Sequence, residues 1–195
     1  MTSLQSRQPV VISAAGPCSQ LTGALSIMLT QLADLLGELT PEQYTTPAGE
    51  LFMNATIGGH VRHTLDHIAP LTPAAPSESA SGDLVDYDLR ARGTPIESDP
   101  RAARAQALRL INGLQELATA DPNHPLTLRV TPSRDGSKLA VNSTLARELA
   151  FALSHTVHHA AILRIMLTAR GINTPAEFGF APSTLAHLDA MQCAR

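Results

Sequence analysis

The chain has 195 residues and a formal net charge of −3, and its Lys and Arg residues form no cluster that would bind a nucleic acid. This length suits a single domain, predicted over residues 1–195, with a sizeable core. No apolar stretch reaches the roughly 20 uninterrupted residues of a membrane span, and no basic and apolar segments mark a signal peptide. Cys18 and Cys193 are too few for a disulfide framework, so we expect a protein of the reducing cytoplasm.

The first part of the chain is predicted to be helical. Aromatic residues make up only 3% of the sequence and Trp is absent, so the core must rest on Leu, Ala, Ile and Val, which favours helices. After an extended lead-in over 1–17, a long helix is expected over 18–39. Its apolar residues recur at helical spacing: Leu21, Leu25, Met28, Leu32, Leu35, Leu36 and Leu39. Thr40, Pro41 and Gln43 then match a capping box with Pro at the first helical position, which predicts a short helix.

Two further long helices are expected in the middle of the chain. The second begins at residues 54–56 and runs to about residue 69, where prolines stop it. A loop rich in Pro, Ser and Ala, predicted to be mobile, follows over 73–82. Asp99 and Pro100 then provide the N-cap and the first residue of the third helix.

The last part of the chain combines a hairpin with a long helix. Apolar and polar residues alternate near the start of 126–141 and a Gly-containing turn interrupts the segment, so a small β-hairpin is expected there. The last long helix is predicted from residue 143 or 144 to about 169, with Gly171 as its C′ residue. A short helix around 183–192 ends the chain. Four long helices with an inserted hairpin and a short terminal helix indicate an all-α bundle.

Histidines are concentrated on two of these predicted helices. Of the eight in the chain, the second helix carries His60, His63 and His67, and the last carries His155, His158 and His159. At about 100° per residue, His155 and His159 differ by only about 40° and lie one turn apart, so both imidazoles can face one cation. An isolated pair of this kind more often binds nothing, but a second cluster on another helix favours a metal site. His124 and His187 are expected to face solvent.

On the second helix, spacing narrows the choice of ligand. His60 and His67 lie two turns apart, about 10.5 Å along the axis, too far to bind one ion at ligand distances of about 2 Å. His63 lies between them and is the expected donor, so His60 or His67 would orient groups, bind substrate or act in catalysis. The predicted ligands are therefore His63, His155 and His159, which leave a coordination position open for water or substrate.

Other interpretations of the histidines are surface exposure and a hydrogen-bonded core network. Competing motifs are absent from the sequence: HExxH, the Glu-x-x-His pair of di-iron bundles, CxxC, GxSxG and the glycine patterns that bind nucleotides. Gly58 and Gly59 are too few to hold a phosphate and are expected to let the start of the second helix pack closely against a neighbour.

Two histidine segments resemble the signatures of a known family. TIGGHVRHTLDH at 56–67 and SHTVHH at 154–159 resemble those of the second and last helices of the DinB/YfiT-like superfamily. YDLRAR at 87–92 and FGFAPST at 178–184 are similar to a poorly characterised branch of it. The resemblance spans most of the chain and implies a four-helix bundle of DinB/YfiT type with a small β-hairpin insertion and a short C-terminal helix.

The resemblance also carries implications for the site. One histidine of the second helix joins both ends of the last helix's HxxxH in that family, which transfers to His63, His155 and His159. It further implies a homodimer and a divalent metal ion, zinc or nickel, with iron as an alternative; three imidazoles alone suit several ions. Activity in the family is often transfer or isomerisation that uses a low-molecular-weight thiol.

Three functions follow as hypotheses. The first is a metal-dependent transferase in which a small thiol attacks a small-molecule substrate, with His67 or His60 orienting groups or moving protons. Arg90 and Arg92 could bind an anionic group of that substrate. The second is a metal-dependent hydrolase with water as the nucleophile. The third is a non-catalytic metal-binding, stress-related module, and none of the three requires a nucleic acid or a membrane.

Overall fold

The structure is a computed structural model that describes residues 15–73, 83–89 and 93–193. Most of the predicted lead-in and most of the loop predicted over 73–82 therefore lie outside the described residues. The described chain is mainly helical with one small sheet. None of its helices combines the length and apolar character that crossing a membrane demands.

Seven helices and three strands follow one another along the described chain. The helices are α1 (Pro17–Glu38), α2 (Pro41–Thr45), α3 (Ile57–Ile68), α4 (Pro95–Ser98), α5 (Pro100–Leu117), α6 (Leu145–Thr168) and α7 (Pro182–Cys193). The strands are β1 (Leu84–Asp86), β2 (Pro125–Val130) and β3 (Leu139–Thr144). The four helices α1, α3, α5 and α6 correspond to the predicted long helices and pack together, with α1 against α5 and α6, and α3 against α6 and α5.

Capping side chains begin α2 and α3 where the sequence predicts. The Thr40 hydroxyl accepts a hydrogen bond from the Gln43 backbone N–H, and the Gln43 side-chain oxygen accepts one from the Thr40 N–H. The Thr56 hydroxyl accepts from the Gly59 N–H at 2.9 Å. These bonds satisfy donors that a helix start leaves without an intrahelical partner, so they fix the residue at which each helix begins.

The end of α6 is a Schellman motif, as its sequence predicts. Gly171 has a φ of 71° and its N–H donates to the Thr168 carbonyl at 3.0 Å. The Ile172 N–H donates to the Leu167 carbonyl, also at 3.0 Å. The left-handed conformation at Gly171 is what brings these two N–H groups back over the last turn.

The core lies where the long helices meet. Its largest fully buried aliphatic side chains come from α1, α3, α5 and α6: Leu25, Leu29, Leu36, Ile57, Leu65, Ile68, Leu110, Leu114, Leu149 and Leu163. Leu dominates this set, as expected for a chain with few aromatic residues. Burying each such side chain contributes about 1.5–3 kcal/mol to the stability of the folded state. Apolar packing therefore stabilises the contact between α3 and α6, the two helices that carry the histidines.

Gly58 allows α3 to approach α4 closely. A Cβ at this position would lie 2.2 Å from the Glu97 carbonyl oxygen and 2.8 Å from Cε1 of Tyr44. Only hydrogen fits in that space, which explains the glycine at the start of the helix. The expected close packing at the Gly58–Gly59 pair is confirmed at its first member.

The three strands form a sheet in the order β1-β2-β3. Strands β2 and β3 are antiparallel, with Leu126 opposite Ser143 and Leu128 opposite Val141, which confirms the predicted hairpin. Strand β1 pairs with β2 in parallel and is an addition that the sequence did not predict, because three residues are too few to show alternation.

Asp86 ties the sheet together at the end of β1. Its carboxylate accepts hydrogen bonds from the Asp88 and Leu89 backbone N–H groups and from the Lys138 ammonium at 3.0 Å. Burial alone would raise the pKa of this carboxyl, but these hydrogen bonds and the Lys138 charge outweigh burial and lower it. Asp86 is therefore an ionised group that the folded sheet stabilises.

Candidate metal centre

The packing of α3 against α6 brings the two histidine groups together in one cluster. Its members are His60, His63, His67, His155, His158 and His159. Neighbouring rings in the cluster have centroid distances from 4.0 Å for His67 and His155 to 6.5 Å for His155 and His158. Two local helical patterns thus become a single site through tertiary packing.

Three of these histidines are close enough to hold one metal ion. One ring nitrogen each of His63, His67 and His155 lies within 4.8 Å of the others. The Nε2 atoms of His63 and His155 are 3.0 Å apart. Two nitrogens that bind a tetrahedral ion at 2.0–2.1 Å are separated by about 3.3 Å. The spacing and the imidazole chemistry therefore both fit a divalent ion.

A hydrogen bond to the helix backbone sets the tautomer of His67. Its Nδ1 lies 2.9 Å from the His63 carbonyl oxygen. A carbonyl oxygen only accepts, so Nδ1 must carry the proton, and the lone pair of the neutral ring is then on Nε2. His67 is buried, with 6% of its surface exposed. Nε2 is therefore the nitrogen through which His67 could bind a metal ion, and an outer hydrogen bond of this kind is usual for histidines that bind metals.

His159, the third predicted ligand, occupies a different position in the cluster. Its ring centroid is 4.5 Å from that of His155 and 4.6 Å from that of His63, but its Nδ1 lies 3.1 Å from Nδ1 of His60. The three-nitrogen group contains His67 in its place, because residues four apart on α3 share a face just as they do on α6. The ligand role of His159 stays a prediction, as does a catalytic role for His60.

The surroundings of His159 and His60 disfavour the charged form of both imidazoles. Burial lowers the pKa of His159 to about 3, and repulsion from the neighbouring imidazoles His155, His63, His60 and His158 adds to this effect. Burial also lowers the pKa of His60, with His158 as the second cause. Neutral imidazoles each carry one nitrogen lone pair, which is the form that binds a metal ion.

A buried carboxylate lies behind the cluster. Glu148 on α6 is fully buried and accepts hydrogen bonds from the Tyr87 hydroxyl at 2.8 Å, the Ser143 hydroxyl at 2.5 Å and the Arg147 guanidinium at 2.6 Å. The Tyr87 ring stacks on His67, with centroids 5.2 Å apart and planes 9° from parallel. Sequence reasoning missed this network, since Tyr87 and Glu148 are 61 residues apart and no local pattern connects them.

One side of the cluster reaches the protein surface. Phe151 is 36% exposed and its ring centroid lies 5.7 Å from that of His155 and 6.2 Å from that of His67. The Arg147 guanidinium carbon lies 5.8 Å from the centre of the same ring. His158 is exposed. Among the described residues, this side of the cluster therefore presents an aromatic ring and a cation.

His124 and His187 lie outside the cluster. His124 is exposed and 2.9 Å from the Asp83 carboxylate, and His187 is exposed on α7, as expected of both. Arg90 and Arg92, the candidates for binding an anionic group, lie outside the described residues.

No family model matches the chain, and no solved structure matches it. The chain is similar to FK506-binding protein 5 of Rhizopus delemar, with 31% identity over 106 residues. The aligned segment covers 54% of this chain but only 28% of that protein, so the chain spans less than a third of the relative's length. This similarity does not assign the chain to a family.

Proposed function

We propose that the protein is a divalent-metal-binding four-helix bundle of DinB/YfiT type that acts as a transferase with a small thiol as its nucleophile. The observation that carries the metal site is the 3.0 Å approach of His63 Nε2 and His155 Nε2, with His67 completing a three-nitrogen group. Zinc or nickel would be the resident ion, with iron as the alternative. A bound divalent ion would lower the pKa of a thiol and so supply a thiolate at neutral pH.

The helix packing supports the proposed bundle. Helices α1, α3, α5 and α6 contact one another in the pairs that a bundle requires, with α1 against α5 and α6, and α3 against both. Metal sites in bundles are built from side chains on facing helices. The histidines of α3 and α6 have this arrangement, and the sheet is an addition at the end of the bundle where α6 begins.

Each histidine has a separate part in the proposed site. His63 and His155 would hold the ion through Nε2, and His67 would add the nitrogen that its hydrogen bond to the α3 backbone leaves with a lone pair. Three protein ligands leave a tetrahedral position for the thiol. His60 and His159, joined through their Nδ1 atoms, lie beside this group and would orient the substrate or hold a proton.

The ligand set can be tested by measuring metal content. We expect about one divalent ion per chain after purification from metal-supplemented medium, and a loss of stoichiometric metal in His63→Ala and in His155→Ala. His124→Ala is the matched control, since it removes an exposed imidazole outside the cluster. Elemental analysis of the wild type, the two cluster variants and the control measures the metal content. A wild type without metal would exclude the site, and so would an unchanged metal content in both His63→Ala and His155→Ala.

The choice of nucleophile can be tested on the cobalt-substituted protein. If a thiol occupies the open position, adding glutathione, cysteine or 2-mercaptoethanol should produce a thiolate-to-cobalt charge-transfer band in the near ultraviolet. No band with any of the three, together with hydrolysis of activated esters, would favour a metal-dependent hydrolase. A closed coordination sphere, with a large fall in melting temperature on chelation, would instead indicate a non-catalytic module.

A further inference from the structure

We propose that Tyr87 is a positioning residue that fixes the His67 imidazole in the site, and that the small sheet serves to hold Tyr87 in place. The inference rests on the proposed metal site. It adds Tyr87 as a residue that supports the site without binding the metal ion. Tyr87 follows directly after β1, so the sheet positions its backbone.

The Tyr87 ring limits the orientations that His67 can adopt. The two rings are stacked nearly in parallel, and Tyr87 itself is buried, with 8% of its surface exposed. His155 stacks on His67 as well, with centroids 4.0 Å apart and planes 30° from parallel. Rotation of the His67 ring out of this arrangement would disrupt both contacts and break the hydrogen bond from Nδ1 to the His63 carbonyl. The stack therefore keeps the His67 ring in the orientation that places one of its nitrogens within 4.8 Å of a nitrogen of His63 and of His155.

Glu148 anchors the other end of Tyr87. The Tyr87 hydroxyl donates to Oε2 of this fully buried carboxylate, while Ser143 and Arg147 donate to Oε1. This hydrogen bond to Oε2, at 2.8 Å, fixes the hydroxyl end of the Tyr87 side chain.

This anchor connects the sheet to the helix that carries His155. Glu148 receives one hydrogen bond from the turn after β1, one from Ser143 on β3 and one from Arg147 on α6 itself. Tyr87 is thus held relative to α6, whereas His67 belongs to α3. Because the Tyr87 ring contacts the His67 ring, it holds this proposed ligand of α3 in a fixed position relative to α6. Residues outside the ligand set commonly orient ligands in this way around metal sites.

The test compares Tyr87→Phe, which removes the hydroxyl but keeps the ring, with Tyr87→Leu, which removes the ring. Tyr44→Phe is the matched control, because Tyr44 is also fully buried and its hydroxyl donates to the Ile96 carbonyl at 2.7 Å. One readout is the cobalt affinity and ligand-field spectrum. The other, measured on metal-free protein, is the His67 tautomer from ¹⁵N chemical shifts of the imidazole nitrogens.

We expect wild type and Tyr44→Phe to show the Nδ1–H tautomer at His67 and the same cobalt affinity. Tyr87→Leu should populate both tautomers and bind cobalt about 10–100-fold more weakly, and Tyr87→Phe should fall between. If Tyr87→Phe, folded by circular dichroism, matches Tyr44→Phe in both readouts, the inference is overturned. Absence of metal from the wild type would contradict the proposed function instead, and the tautomer on metal-free protein would still decide the role of Tyr87.

Discussion

Nε2 of His63 and Nε2 of His155 lie 3.0 Å apart, although the two residues are 92 positions apart in the chain. Two neutral imidazoles can meet through the same type of nitrogen in two ways. One ring donates its proton to the other, or both lone pairs face a shared cation. A cation bound between the two lone pairs needs a further ligand. The first prediction concerns which histidine provides it.

His67→Ala should weaken metal binding more than His159→Ala. His67 belongs to the group of three nitrogens, whereas Nδ1 of His159 is joined to His60. Removing a ligand should lower affinity by more than the roughly 10–100-fold that removing an outer contact costs. Competition with a chromogenic chelator measures both variants. A larger loss in His159→Ala would instead favour the ligand set predicted from sequence, with His63, His155 and His159.

Gly58→Ala should destabilise the protein and disturb the site. The added Cβ would lie 2.2 Å from a backbone oxygen of α4, so α3 has to move, at a cost of roughly 1–3 kcal/mol. Gly23→Ala is the control, since nothing lies within 4 Å of its Cβ and α1 should gain roughly 0.5–1 kcal/mol. Urea unfolding followed by circular dichroism measures both. Equal stability of the two variants would contradict the close approach of α3 to α4.

Asp86→Asn should destabilise the protein more at neutral pH than in acid. The pKa of Asp86 is lowered in the folded state, so its ionised form contributes stability above the unfolded value of 3.8. That contribution is lost as the pH falls through 3.8 and then through the lower folded value. Removing the charge should cost about 1–3 kcal/mol at pH 7, with a smaller difference near pH 3.

Thermal unfolding of Asp86→Asn and wild type between pH 3 and pH 7 measures this dependence. Asp34→Asn, which neutralises an exposed carboxylate on α1, provides the comparison. A cost for Asp86→Asn that stays constant over the whole range would show that the carboxylate charge is not what the sheet stabilises.

Gly171→Ala should destabilise the end of α6 by roughly 1–2 kcal/mol. The positive φ of 71° is costly for a residue with a Cβ, while no neighbouring atom would obstruct the added methyl group. Gly171→Asn should cost less, because asparagine tolerates the left-handed region. Melting temperatures of the two variants test this order, and the reverse order would mean that contacts rather than backbone conformation decide the position.

Local features of the fold were predictable from sequence. Apolar periodicity acts within a few residues and predicted the long helices. The caps Thr40 and Thr56 are equally local, and they mark the residues at which α2 and α3 begin. The alternation around Leu126 and Leu128 gave the hairpin in the same way. Strand β1 could not be predicted, because its pairing with β2 joins Leu84 to Thr127 across a long stretch of chain.

The candidate site was predictable in part. Helical geometry identified the clusters on α3 and α6, and His63 and His155 lie together in the structure. The orientation of the His67 ring depends on its stacking against Tyr87 and on its hydrogen bond to the His63 carbonyl. Neither contact follows from residue spacing. The spacing shows only that His60 and His67 lie two turns apart, and it therefore predicted His63 as the single ligand from α3.

The long separation of His63 and His155 has a consequence for how the folded state responds to its surroundings. The unfolded chain has no preformed group of nitrogens, so an ion that binds the site selects the folded protein. Its contribution to stability grows with free metal, by about 2.7 kcal/mol at a concentration one hundred times the dissociation constant. The lifetime of the protein would then rise and fall with the supply of that ion, which makes its abundance a measure of metal availability.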